Sequence, residues 1–126
     1  MGGEYGATVL VLDDDASLRL LCRVNLELDG YRVVEGASIV EGRERLAAER
    51  VDAILLDVNL VDGDGRELLR ELGSDRPQVA LFTGMEPSES VEGVADALIP
   101  KPFEIAHLRS TVDRLVSGAA QVDSAP

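Results

Sequence analysis

The sequence predicts a single α/β domain in which a five-stranded parallel sheet is covered by helices on both faces. Short apolar segments alternate five times with segments whose apolar residues recur at helical spacing. The third apolar segment is apolar at every position from Ala53 to Leu56, which is typical of a strand buried on both sides. The length of 126 residues suits one domain. Such an alternation favours a parallel sheet with right-handed connections.

Each predicted strand is a short run of mostly apolar residues, and the first run leads directly into three consecutive aspartates. The apolar character of these runs, set between polar or glycine-containing segments, is the signal for a strand. The five runs are TVLVL (8–12), YRVVE (31–35), DAILLD (52–57), QVALFT (78–83) and DALIP (96–100).

Each predicted helix follows one of these strands, and glycines end two of them. The fourth helix is expected to be very short, because its segment lies between a proline and a glycine. The apolar stripes run from Leu18 to Leu28, from Val40 to Ala47, from Leu68 to Leu72, within Ser88–Gly93, and from Ile105 to Val116.

The predicted domain covers residues 7–117, between a flexible N-terminus (1–6) and a small, polar tail (118–126) that we expect to be disordered. A net charge of −12 argues against a nucleic-acid surface, which requires clustered Lys and Arg. The one cysteine, Cys22, excludes an internal disulfide. No apolar run approaches the length of a membrane span. We therefore expect a soluble, cytoplasmic protein that binds neither nucleic acid nor membrane.

Polar side chains with chemical potential follow four of the five predicted strands. Asp13 and Asp14 follow the first strand, Asp57 ends the third, Thr83 ends the fourth, and Lys101 comes directly after the fifth. Because functional groups in parallel sheets gather outside the carboxyl ends of the strands, we expect these side chains to form one acidic pocket.

An acidic pocket of this kind suits a hard cation, above all Mg²⁺. Two carboxylates roughly 4 Å apart repel by about 4 kcal/mol at an effective dielectric constant near 20, and a cation offsets that repulsion. An aspartate beside Mg²⁺ and a lysine is also placed to attack phosphorus. Taken singly, these residues also fit ordinary roles as surface acids, a solvated lysine and a strand threonine. Their occurrence together at successive strand ends favours a site.

This pattern resembles the receiver domain of response regulators in two-component signalling, and the resemblance covers roughly residues 7–117. It implies the flavodoxin-like (βα)5 doubly wound fold. It also implies that Asp57 is the phosphoacceptor, and that Mg²⁺ is held by Asp13, Asp14, Asp57 and the backbone carbonyl of Asn59.

The same resemblance implies that Thr83 and Lys101 contact the phosphoryl group, and that the Lys101-Pro102 peptide bond is cis. Gly65 corresponds to a tight turn in the loop after the acceptor. The implied partners are a histidine kinase or histidine phosphotransfer protein and an unknown downstream protein. The domain is expected to catalyse only its own phosphorylation and dephosphorylation, and to act as a stand-alone receiver.

The sequence departs from the family pattern at Val61, where the family often has Pro, and in two further features. Leu98 stands where many members carry an aromatic residue, and the interval from Thr83 to Lys101 is about one helical turn shorter than usual. The latter two features motivate an alternative hypothesis, in which the domain is a phosphate-independent interaction module with a receiver fold. A third hypothesis, a phosphatase acting on external substrates, has less support because Asp57 has no evident base beside it.

Overall fold

The protein is described by a computed structural model that covers residues 6–84 and 95–118. The strands of its central sheet are β1 (Thr8–Leu12), β2 (Arg32–Gly36), β3 (Ala53–Asp57), β6 (Gln78–Thr83) and β7 (Ala97–Pro100), while β4 (Asn59–Leu60) and β5 (Gly63–Asp64) form a separate hairpin. The five strands are parallel and lie in the order β2-β1-β3-β6-β7, which is the 2-1-3-4-5 order of the flavodoxin-like fold. The predicted α/β class and five-stranded parallel sheet are therefore confirmed.

Four helices lie in the described part of the chain, two on each face of the sheet. The shortened fourth helix expected within Ser88–Gly93 lies outside the described residues, as do most of the predicted flexible N-terminus and disordered tail. No helix among the described residues is long and apolar enough to cross a membrane. The helices are α1 (Ala16–Leu28), α2 (Ile39–Ala48), α3 (Arg66–Leu72) and α4 (Ile105–Ser117).

Alternate residues of the strands build two separate apolar layers. In β1, Val9 and Val11 pack with α1 and α4, whereas Leu10 and Leu12 pack with α2 and α3. All four side chains are fully buried. The middle strand β3 is buried at every position, as its sequence predicted. The two layers cover both faces of the sheet, and the ends of its strands remain available for a functional site.

Local sequence signals set the starts of the two helices that follow β1 and β2. The carboxylate of Asp15 accepts hydrogen bonds from the N–H groups of Ser17 and Leu18 and so caps α1. At α2, Ser38 accepts from the N–H of Glu41, and the Glu41 side chain accepts from the N–H of Ala37. Asp15 is thus a helix cap adjacent to the predicted acidic pair.

A two-residue hairpin, β4 (Asn59–Leu60) with β5 (Gly63–Asp64), follows β3 directly. The sequence predicts a loop here, since no apolar run marks these short strands. Its tip is bonded to the start of α2, because the Asp62 carboxylate accepts from the N–H groups of Ile39 at 2.8 Å and Val40 at 3.2 Å. The segment after the acceptor strand is therefore attached to a neighbouring helix.

Candidate functional site

The predicted site residues meet outside the carboxyl ends of β1, β3, β6 and β7. The strand order reverses between β1 and β3, where open parallel sheets form their binding crevice. Asp57 is the last residue of β3 and Thr83 the last of β6, while Lys101 follows β7 directly. The N–H of Lys101 donates to the carbonyl oxygen of Thr83 at 2.7 Å, so the backbone joins these two positions.

Asp13 is fully buried, and its polar groups are bonded on four sides. Its Oδ2 accepts from the Lys101 ammonium at 2.8 Å, and its Oδ1 accepts from the N–H of Asp15 at 2.9 Å. Its N–H donates to the carbonyl of Gly36 at 3.2 Å, and its carbonyl accepts from Nη1 of Arg19 at 2.8 Å. A buried carboxylate is tolerated only when it is paired and hydrogen-bonded, and this one is both.

Asp14, by contrast, is exposed. Carboxylate oxygens of Asp13, Asp14 and Asp57 nevertheless lie within 4.8 Å of one another. Three carboxylates at this separation are a donor set that fits a hard divalent cation. The crowding expected from the three consecutive aspartates is thus relieved in two ways. Lys101 neutralises the buried Asp13, and solvent screens Asp14.

Asp57 is nearly buried, and its side chain is 13% exposed. Its Oδ1 accepts from the N–H of Asn59 at 3.2 Å, and its Oδ2 lies 3.4 Å from the Lys101 ammonium. Burial, followed by the negative charge of Asp13, raises the pKa of Asp57 above its usual value. The Asn59 N–H and Lys101 oppose this shift only in part. The ionised form of Asp57 is therefore destabilised in the folded protein, which favours its reaction with an electrophile or its binding of a cation.

The ammonium of Lys101 is fixed between these carboxylates. Burial disfavours its charge, but the hydrogen bond and charge of Asp13, with a smaller contribution from Asp57, raise its pKa overall. The ammonium also lies 5.4 Å from the ring centroid of Phe82, which stacks on Phe103. The Lys101-Pro102 bond is cis, as the resemblance implied.

Thr83 ends its strand as the sequence predicted, and the roles implied for the Thr83 hydroxyl and the Asn59 carbonyl stay predictions. Thr83 is half-buried at the end of β6, and Asn59 is exposed at the start of β4. Sequence reasoning missed two residues that contact the site. Arg19 contacts Asp13, and Phe82 contacts Lys101. The neighbouring sequence indicates neither contact. Arg19 is bonded to Glu35, 16 positions away in the sequence, and Phe82 has the apolar character of an ordinary core residue in its strand.

Gly65 is required for space, and not for the turn conformation that the sequence analysis assumed. Its φ of −57° is open to any residue. A Cβ at this position, however, would lie 2.3 Å from the carbonyl oxygen of Asp57. The N–H of Gly65 also donates to the carbonyl of Val58 at 2.7 Å. The hairpin therefore closes tightly over the backbone of the acceptor.

Comparison with known proteins agrees with this arrangement. The family model of the response regulator receiver domain matches residues 9–113. The chain belongs to the response regulator receiver domain family.

Two curated relatives are full-length response regulators. The chain is 35% identical over 123 residues to the response regulator MprA of Mycobacterium tuberculosis, covering 93% of this chain and 54% of the relative. It is 36% identical over 107 residues to the KDP operon transcriptional regulatory protein KdpE of Escherichia coli, covering 81% of this chain and 48% of the relative. The chain thus spans about half the length of the curated relatives that it matches.

Solved structures share the fold. The chemotaxis response regulator CheY4 of Vibrio cholerae superposes with a TM-score of 0.78 at 28% identity, over 86% of this chain and 98% of that chain. A response regulator receiver domain protein from Clostridium thermocellum gives a TM-score of 0.80 at 21% identity, over 92% of this chain and 98% of that chain. The second likeness is evidence for the fold alone.

Proposed function

We propose that this receiver domain accepts a phosphoryl group on Asp57, in a reaction that requires Mg²⁺ bound by Asp13, Asp14, Asp57 and the carbonyl of Asn59. The observation that carries the proposal is the position of the Asp57 carboxylate. It lies at the end of the middle strand, 3.4 Å from the Lys101 ammonium and within 4.8 Å of oxygens of the other two aspartates. The membership of the chain in the receiver family supports the same role for Asp57.

In the proposed transfer, an oxygen of the Asp57 carboxylate forms a bond to phosphorus as the bond from phosphorus to the leaving group breaks. The leaving group keeps the electron pair of the broken bond, which produces a neutral imidazole when the donor is a phosphohistidine whose other ring nitrogen carries a proton. Bound Mg²⁺ would neutralise the phosphoryl oxygens during this step. Lys101 supplies a second positive charge, and the hydroxyl of Thr83 a hydrogen bond, to the same oxygens.

The proposed donor is a histidine kinase or a histidine phosphotransfer protein, and the phosphorylated domain acts by docking on a downstream protein. The domain catalyses only its own phosphorylation and dephosphorylation, since the acceptor is its own side chain. A cytoplasmic location is part of the proposal, and it is supported by Cys22, a buried free thiol of the kind found in reducing compartments.

A second candidate function is phosphate-independent binding of a partner. The observation that favours it is Leu98, which is 42% exposed on the edge strand β7. A leucine here has no ring that could exchange between buried and exposed positions when Thr83 moves. The two functions differ in whether a change at Asp57 alters the state of the domain.

Acetyl phosphate with Mg²⁺ provides the test. We expect intact-mass spectrometry to show one added phosphoryl group on the wild type and on Asp75→Asn, a control at an exposed aspartate after α3, but not on Asp57→Asn. Full labelling of Asp57→Asn would refute the assignment. A phosphorylated protein whose amide spectrum equals that of the unmodified protein would support the second function.

A further inference from the structure

Arg19 forms a bridge between the end of β2 and the segment that carries the two consecutive aspartates of the site. Its Nη1 donates to the carbonyl oxygen of Asp13 at 2.8 Å, and its Nε donates to Oε1 of Glu35 at 3.0 Å. The side chain is mostly buried, with 19% exposed. Arg19 therefore contacts the backbone of the acidic segment and does not bind the carboxylates of the site.

Glu35 is itself held in place, which fixes the orientation of Arg19. Its second carboxylate oxygen accepts from Nε of Arg23 at 2.6 Å, and its carbonyl accepts from Nε of Arg45 at 2.9 Å. Three arginines thus converge on one residue of the sheet. A guanidinium bonded in two directions by its planar fork is more strongly oriented than a single-point contact would be.

The carbonyl that Arg19 binds belongs to the peptide bond between Asp13 and Asp14. Because a peptide unit is planar, holding this carbonyl also holds the nitrogen and Cα of Asp14. Asp14 is exposed, so packing contributes little to its position. The Arg19 contact is therefore the connection through which the rigid sheet can orient the exposed carboxylate of the metal site.

We propose that Arg19 is a positioning residue for the cation site: by fixing the Asp13–Asp14 peptide on Glu35, it keeps the Asp14 carboxylate where it can share Mg²⁺ with Asp13 and Asp57. The inference rests on the proposed function, since it assumes that these carboxylates bind Mg²⁺. Removing groups that orient metal ligands typically weakens metal binding by about 10- to 100-fold.

Arg23 provides a matched control. It lies one turn further along α1, and its contacts are to Glu27 and to the same Glu35 carboxylate. Arg23→Met therefore removes an arginine from the same helix and the same ion-pair network without touching the Asp13 carbonyl. Arg19→Lys keeps the positive charge but loses the planar fork.

The experiment is a Mg²⁺ titration of the full chain followed by the amide NMR signals of residues 13–15, without any phosphodonor. We expect Arg19→Met to raise the apparent Kd for Mg²⁺ by about tenfold or more, and Arg19→Lys to weaken binding as well. Arg23→Met should stay within about twofold of the wild type, because Arg19 keeps both of its contacts and Arg45 still binds the Glu35 carbonyl. Without Mg²⁺, hydrogen exchange at the amide of Asp15, which donates to Oδ1 of Asp13, should accelerate in Arg19→Met and remain unchanged in Arg23→Met.

A second readout separates positioning from a general structural role. At saturating Mg²⁺, the rate of Asp57 phosphorylation in Arg19→Met should recover to within about twofold of the wild type, because the cation then enforces the geometry. Wild-type Mg²⁺ affinity in Arg19→Met, or equal weakening in Arg23→Met, would overturn the inference. If Asp57 is not phosphorylated but Mg²⁺ binding still depends on Arg19, the proposed function fails and this inference stands. Absence of Mg²⁺ binding by the wild type would overturn both.

Discussion

The ammonium of Lys101 donates a 2.8 Å hydrogen bond to Oδ2 of Asp13, a carboxylate with no exposed surface. The same ammonium lies at the longer distance of 3.4 Å from Asp57. In this state the lysine therefore serves mainly to neutralise the buried aspartate, and only secondarily the acceptor. A positive charge from a bound cation would share that task and leave Lys101 available to a phosphoryl group.

Lys101→Met should destabilise the protein in the absence of Mg²⁺. Removing one partner of a largely buried ion pair leaves the other charge uncompensated, and we expect a loss of about 2 to 3 kcal/mol in the free energy of unfolding. Urea unfolding in EDTA measures it. The same substitution in an Asp13→Asn background should cost less, because no buried charge is then stranded. An equal loss in both backgrounds would show that the lysine contributes through packing alone.

Asp57→Asn should have the opposite effect. Burial and the charge of Asp13 disfavour the ionised form of Asp57, so the neutral amide removes an unfavourable term. We therefore expect Asp57→Asn to raise the free energy of unfolding at pH 7 without Mg²⁺, as measured by urea unfolding in EDTA. A less stable variant would mean that the contacts of Asp57 with Asn59 and Lys101 outweigh its desolvation.

The pH dependence of this difference follows from the same shift. Because the pKa of Asp57 is higher in the folded chain than in the unfolded chain, the folded state binds the proton more tightly. The penalty of the ionised form is complete above the folded-state pKa, and it is relieved as the pH falls through that pKa towards the ordinary value of 3.8. The advantage of Asp57→Asn should therefore shrink between neutral pH and about pH 4.

Asp14→Asn separates metal binding from electrostatic crowding. Asp14 is exposed, so its substitution should change the stability of the metal-free protein by no more than about 0.5 kcal/mol. It should, however, abolish the stabilisation that Mg²⁺ gives to the wild type, because one of the three carboxylates of the cluster is lost. Thermal unfolding with and without Mg²⁺ tests both statements. A large Mg²⁺-dependent stabilisation retained in the variant would remove Asp14 from the cation site.

Much of this fold could be predicted from the sequence, because its signals are local. The uniformly apolar run in β3 and the apolar stripe along α4 indicate which of their residues are buried. The positions of the five strand ends follow from the alternation of strands and helices along the chain. The acidic pair, Asp57 and Lys101 were predictable for the same reason, since a parallel sheet brings consecutive strand ends to one edge.

The rest depends on contacts between distant parts of the chain. The capping of α2 by Asp62, 23 residues after Ile39, has no sequence signal, because an aspartate in a loop usually faces solvent. The bond from Arg19 to the Asp13 carbonyl spans only six positions, but Arg19 is also bonded to Glu35, 16 positions away. The different burial of Asp13 and Asp14 also could not be predicted from two adjacent identical residues. The buried Asp13 pairs with Lys101, 88 positions further on.

Gly65→Ala should disturb the acceptor without a change in its chemistry. The added Cβ would approach the Asp57 carbonyl oxygen to 2.3 Å, so the hairpin must shift away. We expect a loss of about 1 to 3 kcal/mol in the free energy of unfolding and slower phosphorylation by acetyl phosphate. Gly84→Ala is the control for stability, because a Cβ there meets no atom of the described residues within 4 Å. If Gly65→Ala proves as stable as Gly84→Ala, the hairpin is free to move and the close approach has no consequence.

The contacts of the hairpin also indicate which part of the surface should change when Asp57 is phosphorylated. The Asp62 carboxylate joins the hairpin to the first turn of α2 by accepting hydrogen bonds from the N–H groups of Ile39 and Val40. Leu98, in contrast, is an exposed aliphatic side chain on the edge strand. Leu98 offers a smaller difference in free energy between two conformations of the domain than an aromatic ring would. A modification can shift the equilibrium between two conformations only by such a difference in free energy. The connection to α2 is therefore the stronger route from Asp57 to the surface.

We accordingly predict that beryllofluoride with Mg²⁺, a mimic of the phosphoryl group, shifts the amide signals of residues 58–65 and of residues 38–43. The signals along α4, residues 105–117, should change little, because neither the hairpin nor Asp62 is bonded to that helix in the described part of the chain. In Asp62→Ala the shifts within 58–65 should persist while those within 38–43 diminish, since the two hydrogen bonds that link the segments are gone. Shifts along α4 as large as those near Asp57 would contradict this route and point to a switch through Thr83 and β7.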